Sequence, residues 1–233
     1  MATNPQARFD KLFSGIDCGW YRAGVGAGGT GTVGCFIHTT GIPGMVPAGN
    51  YLLSCYDALC GTNNFGISQK AHQPSIQAVG AVNPANEIGY CVYGVVGTGD
   101  NCAIATVNRP FRNEVPAAPN HYGKNTLMGT DEVDGSERIE VYKFGAFSRY
   151  TTGTITGKVG NTYTIINNEG WAGTGDYGSL LIRKRDHVVL GLNYMVDGDE
   201  YIGNTGMSKL GYAFTIQSQF QNFCVHGGVV RLA

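Results

Sequence analysis

Short apolar runs, each closed by glycine, asparagine, proline or aspartate, follow one another from Thr32 to Thr215. That punctuation limits what the chain can fold into more than any single motif does. A helix needs a longer unbroken stretch of 3.6-residue periodicity, whereas short runs rich in Val, Ile, Thr and Tyr suit strands. Glycine fills 36 of the 233 positions, far above an ordinary share, and supplies the tight turns such strands need. The runs predict strands over residues 32–39, 51–54, 88–96 and 103–107, and again over 138–143, 152–159, 163–167, 179–183, 188–195 and 211–215. Gly160-Asn161 is a two-residue hairpin turn between two of them, because glycine provides the positive φ at its first position. One helix is expected, over 216–223. Residues 108–136 carry three prolines and the acidic cluster Asp131, Glu132 and Asp134, and read as a linker. The expected organisation is an N-terminal extension and first unit over 1–107, the linker 108–136, and a second unit with the helix over 137–233. Two clusters of short strands predict an all-β chain, as two barrels or as a sandwich.

Charge narrows the partners. The chain has 16 basic and 17 acidic side chains, a net charge of −1. Nucleic acid and anionic membranes both call for a basic surplus, so neither is expected. Residues 23–56 contain no Asp, Glu, Lys or Arg, but Gly, Pro and Thr break the stretch too often for a spanning helix. Met1-Ala2-Thr3-Asn4-Pro5 lacks the basic region and apolar core of a signal peptide. A cytoplasmic or virion-associated protein is therefore expected.

Seven cysteines, at 18, 35, 55, 60, 91, 102 and 224, show no C-x-x-C spacing. Mostly reduced, buried thiols are expected, with one or two disulfides left open. The histidines at 38, 72, 121, 187 and 226 show no metal-ligand spacing. Gly24-Val25-Gly26-Ala27-Gly28-Gly29 matches G-x-G-x-x-G, but a strand follows where phosphate binding needs a helix. No metal and no cofactor is expected.

The segment Gly173-Thr174-Gly175-Asp176-Tyr177-Gly178-Ser179-Leu180-Leu181-Ile182 resembles the nucleophile loop of chymotrypsin-like, or trypsin-fold, serine proteases. Other segments resemble the family's bacterial members in the right order. They are 31–37, Tyr51-Leu52-Leu53-Ser54-Cys55-Tyr56-Asp57-Ala58-Leu59, Asn101-Cys102-Ala103-Ile104-Ala105, and 142–145 with 151–157. The resemblance implies two antiparallel Greek-key β-barrels of the trypsin-like type with a short C-terminal helix. It also implies three triad positions, and all three are replaced. Asp57 stands where the family has its general-base histidine, Asn101 where it has the orienting carboxylate, and Tyr177 where it has the nucleophilic serine. A triad needs a hydroxyl or thiol, an imidazole and a carboxylate. Ordinary serine proteolysis is not expected. Backbone N–H groups of Gly175 and Tyr177 would survive as oxyanion-type donors, since they do not depend on side-chain identity.

Two functions follow. The favoured one is a pseudo-protease: a trypsin-like domain kept as a binding or assembly scaffold, such as a component of a virus, phage or other assembly, with a protein partner or self-assembly. Its 13 tyrosines suit protein contacts. The alternative is a repurposed lyase, isomerase or hydrolase in which Asp57 and Tyr177 act as an acid–base pair. The phenol of Tyr177 is expected to donate to the Asp57 carboxylate across the seam, so that Tyr177→Phe costs a scaffold about 1 kcal/mol or more, whereas the enzyme reading expects little cost.

Overall fold

The computed structural model describes residues 4–22, 27–61, 69–118, 123–223 and 229–233. It is an all-β structure. In the second half the strands Ile139–Gly145, Arg149–Val159, Thr162–Ile166, Leu210–Thr215, Val189–Val196 and Leu180–Arg183 pair antiparallel in that spatial order, and the last returns to the first. This is a closed six-stranded barrel. Its sequence order along the ring, 1-2-3-6-5-4, is a Greek key. The hairpin turn falls at Gly160, with φ +56°.

The first half forms a sheet of Cys35–Thr39, Gly49–Ser54, Asp100–Ala105, Glu87–Gly97, Lys70–His72 and Asp17–Arg22. Gly31–Thr32 pairs with Asp17–Arg22 and runs, two residues later, into Cys35–Thr39. The expected single strand over 32–39 is thus two pieces. The break lies where the chain changes partner: Val33 N–H donates to Ile16 O at 2.8 Å, and Gly34 N–H to Leu53 O at 3.1 Å. Through that break the chain links the two ends of the first sheet, which curves as a half-barrel.

Strand periodicity explains why the runs read as continuously apolar. Side chains alternate between faces, and both faces here are buried. Phe36 and Leu52 point into the first barrel with Leu12, Ile16 and Ile88. Their neighbours Cys35, Ile37 and Leu53 point into a second cluster with Tyr142, Phe144, Leu180, Ile182 and Leu192. That cluster is the seam between the barrels. Leu181, Val141 and Trp171 fill the second barrel.

The stretch expected as a loose linker contains a short hairpin, Glu114–Pro116 with Lys124–Thr126. Asn113 holds it to the first barrel like a strand residue, its amide accepting from Phe36 N–H at 2.8 Å and donating to Phe36 O at 2.7 Å. The helix Ile216–Gln221 is capped by Thr215 Oγ1, which accepts from Ser218 N–H at 3.3 Å. It leads back to the first barrel, where Val230–Leu232 pairs with Cys35–Thr39. Among the described residues, no helix is long and apolar enough to cross a membrane.

Cys60 and Cys91 form a disulfide, while Cys18, Cys35, Cys55 and Cys102 are free and buried. Mostly buried thiols were expected, with one or two disulfides left open, and one is present among the described residues. Spacing did not show that a turn and a strand 31 residues apart meet. Cys224, His121, His226 and residues 24–26 of the 24–29 glycine motif lie outside the described residues.

Candidate functional site

Strand Gly49–Ser54 is followed by Cys55, the N-cap of a single helical turn, Tyr56–Leu59, that carries Asp57. Asn101 is the second residue of Asp100–Ala105. The two strands pair, Ser54 opposite Ala103, which brings the positions together. Asn101 Oδ1 accepts from Tyr56 N–H at 2.8 Å, and Asn101 Nδ2 donates to Asp57 Oδ2 at 3.3 Å. Only an amide fits both bonds. A carboxylate in its place would accept the backbone N–H but face Asp57 charge to charge. The replacement of the orienting acid by asparagine therefore matches the replacement of the base by aspartate. Gln219 of the terminal helix accepts from Asn101 N–H at 3.2 Å.

Tyr177 follows the one-turn 3-10 helix Thr174–Asp176. Its carbonyl accepts from Thr32 N–H at 2.8 Å, and Gly178 N–H donates to Asn193 O at 2.8 Å. The ring packs half-buried against both the seam and the core of the second barrel. Burial pushes the phenol up, and Tyr201, Cys55, Asp57 and Asp176 push it the same way. A phenol held neutral in this way is a poor nucleophile and a poor base. No hydrogen bond joins Tyr177 to Asp57 among the described residues. The expected phenol–carboxylate bond is thus replaced: Asp57 is held by Asn101, and Tyr177 bridges the barrels by packing. Tyr177→Phe is accordingly expected to shift stability by less than about 0.5 kcal/mol, the size of an ordinary surface change, measured as the denaturation midpoint at unchanged slope.

The side chain that the site depends on most, Asp176, lies in the segment read as the nucleophile loop, but its partner Lys143 was not among the candidates. Asp176 is fully buried and accepts from Lys143 Nζ and from the N–H groups of Phe147, Ser148 and Gly173, each at 3.0 Å. Lys143 is equally buried, donates also to Ser148 Oγ, and lies 5.4 Å from the Trp171 ring centre. Burial pushes the Asp176 carboxyl up, but Lys143 and the converging donors outweigh it and hold it below its usual range. Burial lowers the Lys143 ammonium. This pair pins the turn that presents Gly175 and Tyr177. The sequence did contain a signal: Lys143 shares a strand face with Val141, two residues away, so it points inward.

Other candidates are structural. Ser179 is fully buried and accepts from Asn193 Nδ2 at 3.2 Å. Cys55 donates to Asn193 O at 3.0 Å, and burial raises its thiol far above the reactive range. His38 pairs with Asn50 on an exposed face. No group of three or more acidic, histidine or cysteine side chains could hold a metal among the described residues. Asp57, Asn101 and Tyr177 line none of the principal cavities. A cavity of about 210 Å³ includes Gly175, but Asp17, Thr30, Phe147 and Thr174 are among its other walls.

No protein-family model and no curated protein matches this chain. Solved structures do. A Nocardiopsis protease is similar over 95% of this chain and 98% of its own, at 15% identity and a TM-score of 0.62. Protease A of Thermobifida fusca is similar over 96% and 100%, at 13% identity and a TM-score of 0.61. A chymotrypsin of Cellulomonas bogoriensis is similar over 96% and 98%, at 14% identity and a TM-score of 0.59. At such identities the likeness is one of fold.

Proposed function

We propose that this chain, which has the trypsin-like serine protease fold, is a catalytically silent member of that architecture that serves as a binding or assembly scaffold. The observation that carries the reading is the fate of the three triad positions. Asp57 is engaged by an amide, Asn101 supplies no charge, and Tyr177 packs into the seam as a neutral phenol. Nothing in that set takes a proton from a nucleophile near neutral pH. The partner is another protein or a second copy of the chain, as the balanced charge and the many tyrosines favour. The Cys60–Cys91 disulfide favours a particle or another oxidising setting over the reducing cytosol.

A fluorophosphonate probe tests the silent site. It is expected to leave the protein unlabelled by intact-mass analysis. The variant carrying Asp57→His, Asn101→Asp and Tyr177→Ser serves as the comparison. Stoichiometric labelling of the unaltered chain at Ser179 or any other serine sinks the reading.

A further inference from the structure

His72 ends the strand Lys70–His72, which sits in the first barrel between Asp17–Arg22 and Glu87–Gly97. Its side chain is only 2% exposed, and neither ring nitrogen has a hydrogen-bond partner among the described residues. A neutral imidazole carries one N–H and one lone pair, so both are left unmet here. Adding a proton would replace the lone pair with a second unmet N–H and bury a charge.

The groups facing the ring offer little help. From Asp17–Arg22 comes Tyr21, whose ring meets it edge-on at 5.4 Å between centres. From Glu87–Gly97 comes Glu87, directly opposite His72 in the ladder. Glu87 is the one carboxylate in the set, and Lys70 already holds it at 2.6 Å. Arg109 adds a second positive charge, its guanidinium donating to Phe9 O at 2.9 Å and to Gln73 O at 3.2 Å. Residues 62–68, which lead into the strand, contain no titratable side chain. Burial lowers the imidazole's proton affinity most; Glu87 works against that, and Lys70 and Arg109 add to it.

We propose that Lys70–His72 is an acid-released latch: protonation of His72 expels this strand from the first barrel and frees the facing edges of Asp17–Arg22 and Glu87–Gly97. The strand is short, three residues between two longer strands. It makes three residue pairings on each side, and the second barrel takes no part in them. Departure gives the imidazole its hydration and exposes two rows of unpaired backbone groups, a surface that can pair with another strand.

The sign of the pH dependence follows from the lowered affinity. The open state takes up a proton from about pH 6.5 downward, and the closed state does so only at lower pH. Latching is therefore complete above about pH 6.5 and weakens as pH falls, by up to about tenfold in the closing equilibrium per pH unit.

Native-state hydrogen exchange between pH 6.5 and 5, corrected for intrinsic rates, reads this directly. In the unaltered chain, protection of the amides of Lys70–His72 and their ladder partners is expected to fall by about tenfold per pH unit. In His72→Leu it should stay flat. An equal fall in both proteins, or no fall in either, overturns the proposal. Should His72→Leu not fold, NMR titration of the unaltered chain with ring-labelled histidine decides. The His72 signal is expected to stay neutral in the closed state and to gain a proton only in step with lost protection. Free titration near pH 6.5 with protection intact rejects the latch.

Discussion

Replacing Lys143 by methionine is expected to lower stability by about 3–5 kcal/mol, the usual cost of leaving one member of a buried ion pair without the other. Asp176 would keep its three backbone donors but lose the counter-charge of Lys143, in a site with no exposed surface. The pH dependence separates this cause from a packing defect. In the unaltered protein the Asp176 carboxyl is held below its ordinary range, so its contribution is present above about pH 4 and fades as pH falls through the depressed value. In Lys143→Met the same carboxyl, still buried, is expected to take a proton more readily. The gap between the two proteins should therefore narrow below about pH 4. Denaturant titrations at pH 7 and pH 3.5 check both statements. A gap unchanged between them would place the cost in packing against Trp171. The exposed pair Lys184–Glu140, at 3.4 Å, is the control: Lys184→Met should shift the midpoint immeasurably, as isolated surface pairs do.

Gly178→Ala is expected to cost about 3 kcal/mol or more, from two additive causes of roughly 1–3 kcal/mol each. Gly178 has φ +89°, a conformation that a residue with a Cβ adopts only under strain. A Cβ built there would lie 2.0 Å from Ser54 Oγ and 2.6 Å from Thr32 O, and both belong to the first barrel. The added methyl thus wedges the barrels apart at the residue after Tyr177. Calorimetry reads this as a Tm lower by roughly 6–12 °C at about 2–4 °C per kcal/mol for a chain of this size. Stability within 1 kcal/mol of the unaltered protein would mean that the seam is softer than its contacts imply.

Most strands were legible because the barrels bury both of their faces, which turns each strand into an apolar run with punctuated ends. Elements defined by a partner rather than by their own pattern were not. Asp17–Arg22 reads Asp-Cys-Gly-Trp-Tyr-Arg, with no alternation, and becomes a strand because Lys70–His72 and Gly31–Thr32 flank it. Lys70–His72 and Val230–Leu232 are three residues each, too short to carry a period. The triad positions were found only through the order of several segments along the chain, since Asp57, Asn101 and Tyr177 mean nothing singly. What joins them was out of reach for the same reason. The bond between Asn101 and Asp57 depends on two strands lying side by side, and the expected bond from Tyr177 to Asp57 lost to aromatic packing at the seam. Lys143 was missed although it shares a strand face with Val141, which fills the second barrel.

The pairing of Val230–Leu232 with Cys35–Thr39 has a consequence for how the chain is made. Synthesis delivers the N-terminal half first, yet one strand of that half meets its neighbour only after nearly two hundred further residues have emerged. Until then Cys35–Thr39 presents an open edge, able to accept a foreign strand. The two halves therefore cannot mature one after the other on the ribosome as independent units. Closing so long a loop is slow relative to local pairing, and the interval before it closes is when this protein is most exposed to misassembly.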